Sequence, residues 1–262
     1  MSADRDSAGM AILEKSGSVI AALERLGEAS VVELAGDVDE PVSSTYRLLG
    51  ALTDIGWVDR GTRRGTFRLG VKLVRVGSLL EDQLSVRDAS KPGLRRLRSA
   101  TGATAFLCFA RGDAAVCVER LDGRDVHSLA MRLGDSLPLY RGAAPLAIFS
   151  HLPESERDAV LERFAQRRES GEDIPSEAAL RRRLTAIRKA GYSVSDEDVT
   201  PGIAAVGAPV FNHRGELEGA ISVSGLRGQI LSSELDVPAL VLGAAQDASR
   251  ALGCESLTQA RS

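Results

Sequence analysis

The chain has 262 residues, with 33 Lys+Arg against 36 Asp+Glu for a net charge of −3, and is 44% hydrophobic and 26% charged. This composition suits one or two globular domains with real cores, and no apolar run approaches the roughly 18 residues that a membrane-spanning helix needs. The acidic total also argues against nucleic acid as a partner, because such a chain has no global attraction for phosphate.

The opening stretch MSADRDSAGM lacks the basic and apolar regions of a secretory signal. Three Cys, an odd number, argue against a disulfide framework and for a reducing cytoplasm. Residues 10–26 space Ile12, Leu13, Val19, Ile20, Leu23 and Leu26 near a 3.6-residue period, which predicts an amphipathic helix stopped by Gly27. Ser30 and Glu33 then match a capping box, so a helix of about two turns is expected to run to about Gly36. Pro41 suits the first turn of a third helix over about 41–55 that buries Leu48, Leu49, Leu52 and Ile55, with Ser43, Ser44 and Arg47 on another side. Two short helices joined by a tight turn predict a helix-turn-helix, its second helix free to enter a major groove. Strand candidates at 57–60 and 66–69 flank the loop GTRRG, which puts Arg63 and Arg64 at the tip of a β-hairpin wing.

Charge divided by segment follows this organisation. Residues 1–40 hold nine acids against three bases, −6; residues 41–75 hold seven bases against two acids, +5; the remainder carries −2. A basic island thus coincides with the third helix and the wing, and its arginines suit phosphates or a narrow minor groove.

Residues 70–90 read as a linker helix, followed by a helix over about 92–100. Strands are expected at 104–109 and 114–121, with a third at about 126–132, and helices near 143–151, 154–168 and 176–190. Strands at 204–211 and 217–224 flank the turn Asn212-His-Arg-Gly215, a last helix covers about 235–252, and residues 254–262 are expected to fray. The predicted fold is mixed α/β of the α+β type, an antiparallel sheet with helices on its faces. The implied domains are 1–69, a linker over 70–90, and 91–253. No P-loop, dinucleotide fingerprint or nucleophile elbow is present. The three His (127, 151 and 213) are not at metal-ligand spacing with Cys or carboxylates, so neither enzyme, metal nor cofactor is expected. Cys108 and Cys117 fall on neighbouring strands, where a buried apolar role outweighs that of a redox pair.

Several segments resemble the IclR family of bacterial transcriptional regulators: Pro41-Val-Ser-Ser-Thr-Tyr-Arg-Leu-Leu49, Phe67-Arg-Leu-Gly70, Gly191-Tyr-Ser-Val-Ser-Asp-Glu-Asp198, Pro201-Gly202, Gly207-Ala-Pro-Val-Phe211 and Ala220-Ile-Ser-Val-Ser-Gly225. The resemblance runs from about residue 10 to 252. It implies a winged helix-turn-helix, a linker helix and a GAF-like effector-binding domain, with no cofactor. It further implies a homodimer or dimer of dimers that binds double-stranded operator DNA in response to a small, often acidic, effector. The DNA-contacting roles fall on Ser43, Ser44, Arg47, Arg63 and Arg64. The effector site falls on the backbone donors of Ala143 and Ala144, the hydroxyls of Ser222 and Ser224, and a wall including Ile203 and Met131. Where many members carry Gly-Lys after the helix start this chain has Pro145-Leu146, and where some acid-binding members carry Asp and Cys it has Ser195 and Ala205. Those departures imply a larger or less polar ligand, or an altered binding mode. The alternative is a metabolite-sensing module that acts through protein partners, its first domain degenerate.

Overall fold

Two compact units, residues 1–83 and 84–262, make up the chain. The computed structural model describes residues 2–81, 85–124, 131–231 and 234–254.

In the first unit, α1 (Ser2–Leu26) stops at Gly27, whose φ of 73° is the left-handed conformation that glycine adopts without strain. It buries Val19, Ala22 and Leu23, whereas Ile12, Leu13 and Leu26 are exposed at 57%, 69% and 43%. The apolar stripe of α1 is longer than the small core it serves. β1 (Glu28–Ser30) was not predicted, since three residues are too few for an alternation to show. α2 (Val31–Asp37) carries the predicted capping box: Glu33 N–H donates to Ser30 Oγ at 3.3 Å and Ser30 N–H to Glu33 Oε2 at 2.7 Å.

α3 (Val42–Asp54) starts after Pro41, which occupies the cap (φ −58°, ψ 137°) and not the first turn. Leu49 and Leu52 are buried as expected; Leu48 is half-buried and Ile55 exposed, while Thr45 turns inward and donates Oγ1–H to Pro41 O at 3.1 Å. β2 (Val58–Arg60) and β3 (Thr66–Leu69) form the hairpin, and β3 lies between β1 and β2 in an antiparallel sheet. Lys72, at the start of α4 (Lys72–Glu81), donates from Nζ to Ile55 O at 2.9 Å, placing a cation at the C-terminal end of α3, where the helix dipole favours one.

The helix predicted across 70–90 is interrupted. Ser85 accepts from Asp88 N–H at 3.4 Å and opens α5 (Val86–Thr101), which absorbs the helix predicted over 92–100 and carries Pro92 inside it. The second unit continues with β4 (Thr104–Arg111), β5 (Ala114–Leu121), β6 (Ser136–Pro138), α6 (Ala143–His151), α7 (Glu154–Glu169) and α8 (Glu177–Ala190). It ends with β7 (Ser193–Asp196), β8 (Ile203–Phe211), β9 (Leu217–Leu226), α9 (Arg227–Leu231) and α10 (Val237–Ala251). Residues 126–130 of the strand expected over about 126–132 lie outside the described residues; Met131 and Arg132 are not in a strand, and β6 pairs with β5. Cys254, assigned to the tail, is buried and donates its N–H to Ser249 O at 2.9 Å; residues 255–262 lie outside those described.

The six-stranded sheet has the order β6-β5-β4-β9-β8-β7, antiparallel at every pairing. Because alternate residues point to opposite faces, Phe106, Cys108 and Cys117 meet Ile148, Phe149, Phe164 and Leu180 of α6, α7 and α8. Leu107, Val206 and Ile221 meet Leu94, Leu97 and Val241 of α5 and α10 on the other face. Helices on both faces of one antiparallel sheet make the unit α+β, as predicted.

Candidate functional site

The helix-turn-helix unit presents its basic residues outward. On α3, Ser43 and Arg47 are exposed and Ser44 is half-exposed. Tyr46 meets Phe67 edge-on at 6.4 Å, and the Arg60 guanidinium lies 4.5 Å from the Phe67 ring centre and 5.9 Å from that of Tyr46. This stack pins α3 to the hairpin and uses one arginine of the basic island for packing.

At the hairpin loop the sequence and the structure differ. Arg63 and Arg64 are both exposed, but they are not equivalent. The Glu28 carboxylate accepts from Arg63 N–H at 2.9 Å, from Thr62 N–H at 3.0 Å, from the Thr62 hydroxyl at 2.8 Å and from the Thr66 hydroxyl at 2.5 Å. The Arg63 head lies against the same residue, with Nε 3.5 Å from Oε1 and Nη2 3.3 Å from the carbonyl oxygen. Arg64 has no partner among the described residues. Donors from Thr66, Arg63 and Thr62 hold the Glu28 carboxyl far below the usual carboxylate range, Thr66 contributing most. A folded pKa below the unfolded one adds stability above the ordinary value of 4.5, and this is lost as pH falls toward the folded pKa. Glu28→Gln is therefore expected to lower the melting temperature of this unit at neutral pH. It should also flatten the acid limb below pH 4.5, which thermal unfolding followed from pH 7 to pH 2 will detect.

In the second unit, α6 begins on the sheet. Gly207 of β8 lets it: a Cβ there would stand 2.8 Å from Ala143 C and 2.9 Å from Ala144 N. Ser193 fastens the contact by donating Oγ–H to Ala143 O at 2.6 Å. Beside this junction lies an open cavity enclosing about 470 Å³, part of it continuous with solvent. Met131, Ala143, Ala144, Ser195, Ile203, Ala205, Ser222 and Ser224 all line it, so the eight residues singled out from the sequence converge on one space.

Phe106, Leu137, Val199 and Thr200 belong to the same lining and are not singled out by the sequence; Pro145, read there only as a departure from the family pattern, lines it too. Phe106 was legible in principle, since the two-residue period of β4 puts it on the face of Cys108. The lining is mainly apolar. Its polar groups include the hydroxyls of Ser195, Thr200, Ser222 and Ser224, the last two making no hydrogen bond among the described residues, and the first turn of α6. There Leu146 N–H bonds Gly142 O at 3.1 Å, Pro145 has no N–H, and the N–H groups of Ala143 and Ala144 have no acceptor among the described residues.

One carboxylate stands beside this turn. Asp198 accepts from Gly142 N–H at 3.4 Å, from Arg183 Nη2 at 3.2 Å and from the Ser195 hydroxyl. Ser195 thus lines the cavity but directs its proton to Asp198, a partner that the sequence did not reveal. No three His, Cys, Asp or Glu side chains come together as a metal site among the described residues.

Comparison with known proteins places this architecture. The IclR helix-turn-helix domain matches residues 12–61, and the IclR C-terminal domain of bacterial transcriptional regulators matches residues 80–252. The chain is 28% identical over 212 residues to the HTH-type transcriptional regulator XynR of Escherichia coli, covering 81% of this chain and 84% of XynR. The crystal structure of Pseudomonas aeruginosa HmgR superposes with a TM-score of 0.79 at 26% identity, covering 93% of this chain and 98% of that one. An IclR homolog from Microbacterium hydrocarbonoxydans, solved in complex with 4-hydroxybenzoate, shares the fold at 18% identity and a TM-score of 0.55, with coverage of 92% and 98%. These likenesses do not favour a degenerate first domain. Matched across both of its units, the chain belongs to the IclR family and is a helix-turn-helix transcriptional regulator with an effector-binding C-terminal domain.

Proposed function

We propose that this regulator binds operator DNA through Ser43, Ser44, Arg47 and Arg64, with Arg63 in a lesser role, and that an organic acid in the cavity of the second unit modulates that binding. It acts in the cytoplasm as a homodimer or a dimer of dimers, and it regulates without catalysis. The observation that carries the reading is the cavity. Two unpaired N–H groups at a helix start and two unpaired serine hydroxyls line one largely apolar space, which suits a carboxylate on a hydrophobic body. The 4-hydroxybenzoate complex of a similarly folded protein supports an aromatic acid as the first class to test.

Ligand that prefers one arrangement of two subunits changes the spacing of their recognition helices. Adjacent half-sites lie about 34 Å apart, so a small rotation is enough to mismatch them. A thermal-shift screen of aliphatic and aromatic carboxylic acids, followed by operator titration with each hit, tests the reading. Ala143→Pro removes one cradle donor at a position where proline is tolerated. It should weaken a carboxylate hit by about ten- to a hundredfold, given about 1.5–3 kcal/mol for a hydrogen bond to a charged group. An unchanged affinity places the ligand elsewhere.

A further inference from the structure

Three sulfur atoms gather behind the cavity. Cys108 of β4 and Cys117 of β5 are direct cross-strand partners, and the Cys117 thiol donates to Glu119 O at 3.5 Å. The ladder shifts register between Leu107 and Cys108, at the residue before the first thiol. Met131 completes the group, its Sδ 3.7 Å from Cys108 Sγ. All three side chains are buried in one cluster, and no disulfide joins the cysteines.

Three sulfurs that share one ion in a trigonal plane, each about 2.3 Å from it, lie about 4.0 Å from one another. The Cys108–Met131 separation is close to that edge. Two thiols and one thioether are a soft donor set, which selects monovalent d¹⁰ copper and disfavours magnesium, calcium or manganese. Two thiolates around one monovalent ion leave a net charge of −1; the neighbouring Arg120 is shared with Asp122, its Nε 2.6 Å from Oδ1. Arg120 Nη1 donates to Met131 O at 2.6 Å, and its guanidinium lies 5.8 Å from the Phe106 ring centre. An access route exists as well, since Met131 and Phe106 also line the open cavity.

We propose that Cys108, Cys117 and Met131 form a binding site for a soft monovalent cation, Cu(I), with Ag(I) as its redox-inert stand-in. Binding releases the two thiol protons and closes the three sulfurs around the ion, with no change of oxidation state. Because Met131 is shared with the cavity, occupancy of the sulfur site reshapes the wall that faces the organic ligand. The metal and the organic effector are then coupled through one side chain.

Reduced full-length protein is titrated anaerobically with Cu(I) against a chromogenic Cu(I) chelator, and separately with Ag(I), while the near-ultraviolet thiolate-to-metal absorption is followed. The expected result is one equivalent held against the chelator, with a new absorption band. Cys108→Ser and Cys117→Ser should each abolish both, and Cys254→Ser should leave both unchanged. Met131→Leu retains the thiols and conserves volume, so its fold serves as the control; it should weaken Cu(I) binding by tenfold or more. No retained copper, binding that survives loss of Cys108 and Cys117, binding lost with Cys254, or full affinity in Met131→Leu would each overturn the assignment.

Discussion

Gly207→Ala is expected to destabilise the second unit by about 1–3 kcal/mol, the usual cost of forcing an extra carbon into a packed interior. Ordinary strand chemistry points the other way. Alanine fits an extended backbone, and replacing glycine at a compatible position gains about 0.4–1 kcal/mol through the unfolded chain. Here the contacts decide the sign. The new Cβ meets Ala143 C at 2.8 Å, Ala143 O at 2.9 Å and Ala144 N at 2.9 Å, all backbone atoms that no rotamer change can move.

α6 must therefore lift off β8, and it is buried from Ala143 through Ser150, so the shift disturbs core on every side of the helix. The same displacement moves the two free N–H groups away from Ser222, which lies directly opposite Gly207 across β8 and β9. Loss of stability should come with loss of organic-acid binding. Gly17 of α1 supplies the contrast, for a Cβ there meets nothing within 4 Å. Gly17→Ala should stabilise its unit by about 0.8–1 kcal/mol from helix propensity alone. Urea denaturation of both variants, read against the parent chain, separates the two signs. A neutral or stabilising Gly207→Ala would mean that α6 does not approach the sheet this closely.

These two glycines also mark what the sequence could and could not convey. Local chemistry was legible: the Ser30–Glu33 box, the hairpins about Gly112 and Gly215, and the α6 to α8 run all follow from caps, turns and periodicity. Non-local approach was not. Nothing around Gly207 announces that another backbone lies against it, and β1 and β6, three residues each, pair only because partners are presented from elsewhere. The break between α4 and α5 did have a signal in Ser85 followed by Asp88, but the apolar periodicity running through it was stronger. Glu28 is the most consequential omission. In the sequence it is one of nine acids in an acidic segment; in the fold its carboxylate organises the hairpin loop. The cavity, by contrast, was reached by family resemblance, since Ala143, Ala205 and Ile203 have no chemistry of their own that marks a site.

Glu28 also governs the second large effect, because it divides the two hairpin arginines. Arg64 is unpaired among the described residues, whereas Arg63 spends its side chain and its N–H on Glu28. A phosphate contact by Arg64 releases about 0.9 of a counterion on B-form DNA, so Arg64→Ala should weaken all duplexes alike and flatten the salt dependence by about that amount. Arg63→Ala should act less through charge and more through the loop's shape, leaving the salt slope nearly unchanged. Arg47 differs again, being exposed on α3 and free to place its fork on guanine O6 and N7. Arg47→Ala should cost about 1–3 kcal/mol against the specific operator, with specificity relaxed at one base pair. Titrating operator and scrambled duplexes at several salt concentrations resolves the three cases. If Arg47→Ala instead weakens both duplexes equally, its contact is to phosphate, and sequence is read by Ser43, Ser44 or the shape of the groove. The net charge of −3 makes that distinction matter. With little non-specific attraction available beyond the +5 segment, affinity depends on a few well-placed cations meeting their partners on the duplex.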